Sequence, residues 1–245
     1  MISIQKILVT TILLVLLNST FGQSLFFQRG EIWFQETFRV RKGNAFFHID
    51  AAARSYDWFN DFDRFHVRTG GGYRFNDQWK VFGMAGYFFT AGNVNKIHDL
   101  RVNFDASYHT NIFNSRFEFH YRLRTAYRRI ISVQSGENSW RLRNRLGILV
   151  PINESAIENN TWYFKFEDEL FLELLELNPN FLSTNRIVTS IGWFLNPYIS
   201  FELSYCWEMD FLLDDGLIFG NHIVWLKFNQ TLVLSTVVKE KEKEL

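Results

Sequence analysis

The residues of this chain that could do chemistry are concentrated in one alternating stretch, residues 116–128. One face of it is ionisable and carries Arg116, Glu118, His120, Arg122, Arg124 and Arg128. The other face is mostly aromatic and carries Phe117, Phe119, Tyr121, Leu123 and Tyr127. A period of two predicts a β-strand. Because so many charges would be costly to desolvate in a soluble core, a strand that is apolar outside and charged inside is typical of a transmembrane barrel.

The arginines predict a basic wall inside such a barrel, continued on the following strand. Acidic side chains on the flanking strands would neutralise this wall through charge-assisted hydrogen bonds. We predict that the lumen is lined by Asp105, Arg122, Arg124, Arg128, Arg141, Arg143, Arg145, Glu167, Glu169, Arg186 and Glu202. Two readings stay open: a salt-bridged structural plug of side chains, or a narrow path or pocket in which spare arginines bind an anionic solute.

The pair Asn114-Ser115 predicts a tight turn and therefore a register. With a two-residue loop, Asp105 lies opposite Arg124, and His109 lies opposite His120. The two histidines could form a metal or proton site, although such a pair is more often simply hydrogen-bonded.

A second register follows if the link 153–160 is centred near residue 156. In that case Arg145 lies opposite Glu167, and Arg143 lies opposite Glu169. Two ion pairs would then stand side by side on the lumen wall.

Signals for catalysis are absent from the sequence. It contains no GxSxG, no HExxH, no glycine-rich phosphate loop and no Cys/His cluster. Cys206 is the single cysteine, which excludes an internal disulfide and a CxxC metal site. We therefore expect no catalytic residue, no metal ligand and no cofactor. The 26 basic and 26 acidic residues balance, which argues against nucleic-acid binding.

Eleven segments alternate well enough to be predicted as strands. They are residues 31–41, 45–56, 64–75, 79–90, 99–113, 116–131, 140–152, 162–174, 185–195, 198–211 and 221–234. Single-chain bacterial barrels normally have an even number of strands, so we expect one strand to be missed, split or outside the wall. The predicted fold is all-β, an antiparallel up-and-down transmembrane β-barrel of about 10–12 strands.

One of these segments has a competing interpretation. Residues 165–177 are rich in Glu and Leu and could form an amphipathic helix. The alternation of its aromatic and charged residues favours a strand, although Asp168 and Phe171 break the pattern.

The links between the strands alternate in character. Tight links such as 42–44, 76–77, 114–115 and 196–197 interleave with longer polar links such as 91–98, 132–139 and 212–220. We expect the short turns on the periplasmic rim and the longer loops on the external rim. Asparagine follows Phe75, Phe113 and Leu195, which predicts repeated turn chemistry at one rim.

The N-terminus predicts export. Lys6 precedes an apolar run at residues 7–17, and small residues precede a cleavage site between Gly22 and Gln23. The predicted organisation is a signal peptide at 1–22, an outer-membrane barrel domain at 23–235 and a charged tail at 236–245.

Several short segments resemble one known family. They are Tyr121–Arg124, Arg141–Gly147, Phe166–Glu169, Asn185-Arg186 with Gly192, and earlier Trp33, Arg54 and Gly72–Arg74. Over residues 31–234 the chain resembles the family called domain of unknown function 2490. The resemblance implies an exported outer-membrane β-barrel of Gram-negative, Bacteroidetes-type bacteria, and it implies no activity.

Three functions remain open from the sequence. The first is an outer-membrane barrel with a structural, assembly-associated or narrow anionic-solute transport role. The second is a membrane-embedded enzyme that modifies lipid or envelope glycan. The third is a periplasmic, lipocalin-like binding protein. For the first we expect outer-membrane lipid and the barrel-assembly machinery as partners, and no nucleic acid; the sequence names no small-molecule partner.

Overall fold

A computed structural model describes residues 25–56, 58, 61–91, 96–112, 116–132, 136–174, 181–211 and 218–234. The predicted signal peptide, its cleavage site, the Asn114-Ser115 turn and the charged tail lie outside these residues. Within them, no helix is long and apolar enough to cross a membrane.

The described chain consists of eleven strands joined by short links. They are β1 Leu25–Lys42, β2 Ala45–Tyr56, β3 Asp61–Arg74, β4 Trp79–Ala91, β5 Lys96–Ile112, β6 Phe117–Ile131, β7 Gly136–Pro151, β8 Thr161–Glu173, β9 Leu182–Asn196, β10 Ile199–Phe211 and β11 Ile218–Leu234. Each predicted strand is present, and several begin earlier than predicted. The interpretation of residues 165–177 as strand is confirmed as far as Glu173, where β8 ends.

The strands form one closed barrel in sequence order, which confirms the predicted all-β barrel. The expectation of an even strand number is wrong, because all eleven described strands lie in the wall. Successive strands of a meander alternate in direction, so the first and the eleventh point the same way. Ten neighbouring pairs are therefore antiparallel, and the barrel closes through a parallel pairing of β1 with β11, in which Trp33 lies opposite Trp225.

The links between strands fall on two rims. Links after odd-numbered strands, here called the asparagine rim, span two to nine residues, and those on the opposite rim span four to eight. The contrast in link length is smaller than expected: four of the five links on the asparagine rim span two to four residues, against four to eight on the opposite rim, because the strands extend into the polar segments that were predicted as loops. The predicted asparagine chemistry is confirmed at two turns. The Asn76 carboxamide accepts from the backbone N–H groups of Gln78 and Trp79, and Asn196 does the same for Tyr198 and Ile199.

The barrel is apolar outside and polar inside. Large outward side chains such as Phe104 (62 % exposed) and Leu203 (52 %) face the surroundings. The buried set is dominated by inward polar groups such as Asp50, Arg124 and Glu169, with one small apolar cluster of Trp33, Val188, Cys206 and Ile223. Alternation along each strand therefore places nearly all ionisable side chains of the wall in the lumen.

Candidate functional site

The lumen contains a cavity of about 960 Å³. Seventeen Arg and Lys side chains line it, against six Asp and Glu side chains. The predicted residues Asp105, Arg122, Arg124, Arg128, Arg141, Arg143, Arg145, Arg186 and Glu202 are among the lining. Glu167 and Glu169 lie behind the arginines, buried against the wall, where they bind them. The surface that faces the cavity is therefore strongly cationic.

The β5–β6 hairpin has the predicted register. Asp105 lies opposite Arg124, and His109 lies opposite His120. The Arg124 guanidinium donates from Nε and Nη2 to the two carboxylate oxygens of Asp105, at 2.6 Å each. Both side chains are buried, so this bidentate ion pair is held away from water.

Glu169 on β8 is the centre of the basic wall. Its carboxylate lies 2.8 Å from Arg122, 3.0 Å from Arg143 and 2.8 Å from Arg145, and the residue is 1 % exposed. Three cations on two neighbouring strands share one buried anion here, because β6 and β7 carry arginine at matching inward positions. The cluster keeps a net positive charge toward the cavity.

The predicted register of the β7–β8 hairpin is wrong by two residues. Arg145 lies opposite Glu169, and Arg143 lies opposite Phe171. The cause is the nine-residue link: its ladder closes where the Ile152 N–H donates to the Trp162 carbonyl, so the pairing is centred on residue 157. A shift of two keeps every side chain on its face, so the ion pairs still form, diagonally between Arg143 and Glu169 and between Arg145 and Glu167.

Phe171 was not predicted as a lumen residue, because it broke the charge pattern of its strand. It points inward, and its ring supports three arginines, with guanidinium carbons at 4.3 Å (Arg143), 4.6 Å (Arg186) and 5.6 Å (Arg141) from its centre. The alternation of Glu167, Glu169 and Glu173 on either side of it was the signal for its direction. Arg186 is also paired with Glu208, and Arg141 with Glu173.

Two lysines were also missed. Lys165 and Lys227 lie on either side of Glu202 and contact its two carboxylate oxygens, and the Tyr163 hydroxyl donates to the same group. Inward alternation on β8 and β11 could have predicted both lysines. The Ser204 hydroxyl also donates to it, so Glu202 is held by four donors at the β8–β11 side of the lumen.

The β1–β4 side is organised around Asp50. This buried carboxylate accepts from Arg68 at 2.8 Å and lies 2.7 Å from His48 and 3.3 Å from His66. A glycine is required opposite Arg68, because a Cβ on Gly86 would come within 2.7 Å of the Arg68 side chain. Toward the asparagine rim of this side, further cations line the cavity with no acidic partner among the described residues.

The histidine pair has ordinary partners. The His109 and His120 rings stack with centroids 6.2 Å apart, and they contact Glu118 and Glu167 respectively. In the part of the chain that the structure describes, no three His, Cys, Asp or Glu side chains are grouped to hold a metal ion.

Fold and site together define the class: a closed β-barrel with an apolar outer surface and a salt-bridged, cationic interior. Within that class, the chain belongs to the family described as "Protein of unknown function (DUF2490)", whose model matches residues 30–215. Neither a curated protein nor a solved structure matches the chain.

Proposed function

We propose that this protein is an outer-membrane β-barrel whose lumen is a narrow, cationic path for small anionic solutes. The observation that carries the proposal is the lining of the 960 Å³ cavity by seventeen Arg and Lys side chains, against six acids in the lining and five further buried acids that pair with these cations: Asp50, Asp99, Glu167, Glu169 and Glu173. Arginine and lysine linings select anions by replacing part of the solute's hydration shell. A purely structural plug would need no such excess of positive charge.

The outer surface supports a position in a lipid bilayer. Aromatic pairs in contact lie near the asparagine rim, as in Trp162–Trp193 (ring centroids 5.6 Å apart) and Trp79–Tyr108 (4.9 Å), and toward the opposite rim, as in Tyr127–Trp140 (5.2 Å). Aromatic girdles at both interfaces are typical of outer-membrane barrels.

The spacing of these aromatic groups also fits a bilayer. Along β7, Trp140 is twelve residues from Ile152, which pairs with Trp162. At about 3.3 Å per residue this is about 40 Å of strand. With the tilt of about 40° that is usual in such barrels, the height is about 30 Å, close to that of a hydrocarbon core.

The lumen is divided into a paired and an unpaired part, which supports a path over a plug. Arginines of β5–β9 are fixed by acids, as at Asp105 and Glu169, and these ion pairs keep the wall rigid. Cations toward the end of β1 and between β3 and β4 have no acidic partner among the described residues and remain available to a solute.

Ion conduction through planar bilayers tests the proposal. The purified full chain should give discrete conductance steps. Under a KCl gradient, the reversal potential should lie closer to the equilibrium potential of chloride than to that of potassium. Arg129→Gln, on the outer surface, is the matched control and should leave the selectivity unchanged. Cation selectivity, or a folded protein that gives no conductance steps, would refute the path.

A further inference from the structure

Four cations at one end of the lumen form a group that the ion-pair network does not reach. Arg39 and Arg41 lie near the end of β1, Arg74 ends β3, and Lys80 is at the start of β4. All four line the cavity next to the asparagine rim, and none has an ion pair with another described residue. We call this group the basic mouth.

The basic mouth is electrostatically unfavourable as it stands. Arg74 lies directly opposite Lys80 in the β3–β4 ladder, and like charges in that position repel. Arg39 lies within electrostatic range of Arg41 and Arg74. The acid that acts on Lys80 is Glu118, and its carboxylate is already engaged with His109 at 3.3 Å.

Outside this corner, the other lumen arginines have a side-chain partner among the described residues. Arg54 and Arg64 have no carboxylate contact, but the Arg54 guanidinium carbon lies 3.7 Å from the centre of a Trp33 ring, and the Arg64 Nε atom donates to the Thr90 hydroxyl at 2.8 Å. Nine other arginines of the wall each contact a carboxylate, as Arg124 does at Asp105.

The Arg39 Nε atom is buried and has no hydrogen-bond partner among the described residues. Four other lumen arginines, Arg54, Arg122, Arg143 and Arg145, share an unpartnered Nε atom, but each also has a carboxylate or an aromatic ring within 4 Å. The four cations of the basic mouth have no carboxylate partner among the described residues, so an anion would complete this group.

The basic mouth also lies where a solute would pass. Arg74 and Lys80 line both the 960 Å³ cavity and a second pocket of about 410 Å³ that opens at the asparagine rim. The Phe46 ring packs over Gly72, where a Cβ would come within 2.3 Å of it, and against Phe82 at 5.5 Å. Phe46 and Phe82 line the larger cavity beside the cations, and Asp77 and Glu118 are the acids that line the second pocket.

We propose that the basic mouth binds the phosphate group of a small solute. A phosphate dianion neutralises two charges, and its oxygens accept from several guanidinium and ammonium donors at once. Chloride offers one charge and no directional acceptors, so it satisfies the group less well. The proposal rests on the proposed function only in taking the lumen as the route of the solute.

The test is a titration of the full chain, folded in a sugar-headgroup detergent, with inorganic phosphate by calorimetry. We expect saturable binding that a large excess of chloride weakens only slightly. Arg39→Gln with Arg74→Gln should lower the affinity at least tenfold, and Lys80→Gln alone about threefold. Heat-modifiable migration on gels verifies that each variant is folded, and Lys80→Gln keeps the test available if the double variant does not fold.

Two controls separate a local site from a general field. Lys96→Gln with Arg129→Gln removes two positive charges outside the lumen and should leave phosphate affinity unchanged. Arg64→Gln removes a lumen charge at the other end of β3. If Arg64→Gln weakens binding as much as the double variant, or if the double variant binds like wild type, the assignment to the basic mouth is wrong.

Two further outcomes are decisive. If a short-chain phosphatidylglycerol displaces phosphate, the basic mouth binds a lipid headgroup, and the proposal of a small solute is wrong. The binding and conductance measurements test the phosphate site and the path separately. Phosphate binding without conductance would refute the path and keep the site, whereas anion-selective conductance without phosphate binding would refute the site alone.

Discussion

At the scale of residues, some carboxylates of the lumen bind a single arginine, here called private pairs, and others are shared by several arginines. Asp105 and Arg124 serve each other, whereas Glu169 serves three arginines. The first pair could be predicted from the sequence because a tight turn fixes the register. The partners of Arg143 could not, because a nine-residue link has no unique centre and Phe171 interrupts the charge pattern.

The private pair predicts recovery in a double variant. Asp105→Leu or Arg124→Met alone leaves a buried charge without its partner, and each should lower the free energy of unfolding by about 3–5 kcal/mol. The double variant removes both desolvation penalties and should recover most of that loss. Urea unfolding in detergent, followed by tryptophan fluorescence, measures all four proteins.

The shared anion predicts the opposite result. Glu169→Leu with Arg143→Met should not recover stability, because Arg122 still lacks its buried carboxylate and Arg145 keeps only its contact with Glu167 at 3.3 Å. Recovery equal to that of the Asp105 and Arg124 pair would show that Glu169 serves Arg143 alone and that the three-arginine cluster is wrong.

At the scale of elements, the sequence predicts the strands well and their closure poorly. Alternation identifies each strand because one face must be apolar and the other polar. The expectation of an even strand number failed because it depends on how β1 pairs with β11. This contact joins the two ends of the described chain, and no local sequence pattern indicates it. Nothing in either strand alone indicates a parallel neighbour.

Engineered cysteines test the parallel closure. In a Cys206→Ser background, the pairs 36/228 and 42/234 lie directly opposite and should each form a disulfide on oxidation. Parallel strands keep a constant difference between opposite positions, whereas antiparallel strands keep a constant sum. An antiparallel closure would therefore allow one of the two cross-links at most, and the shift of the oxidised band on gels decides it.

At the scale of the whole molecule, the protein is turned inside out relative to a soluble domain. In the described strands, large apolar side chains are exposed, and most ionisable groups lie in the interior. The sequence predicts this distribution from composition and alternation together. It could not predict that the interior holds an open cationic cavity, since that depends on how far the arginines of non-adjacent strands extend toward one another.

The outward face makes a prediction about location. Leu203→Arg places a cation near the middle of the outer surface, where insertion should cost about 2–4 kcal/mol, and should reduce the folded, heat-modifiable fraction in bilayers. Tyr198→Arg, exposed at the asparagine rim, is the matched control and should cost at most about 1 kcal/mol. If Leu203→Arg instead yields a soluble, folded protein, the periplasmic binding protein becomes the better interpretation.

The odd number of strands also places the first and last strand ends of the barrel at opposite rims. β1 begins at the rim opposite the asparagine rim, and β11 runs alongside it and ends next to Lys42 at the asparagine rim. An even-stranded barrel returns its chain to the side from which it started, whereas this chain makes a net passage from one side to the other. Residue 25 and residue 234 therefore lie at opposite rims of the barrel, so the chain segments that precede and follow the wall are attached at opposite ends of it.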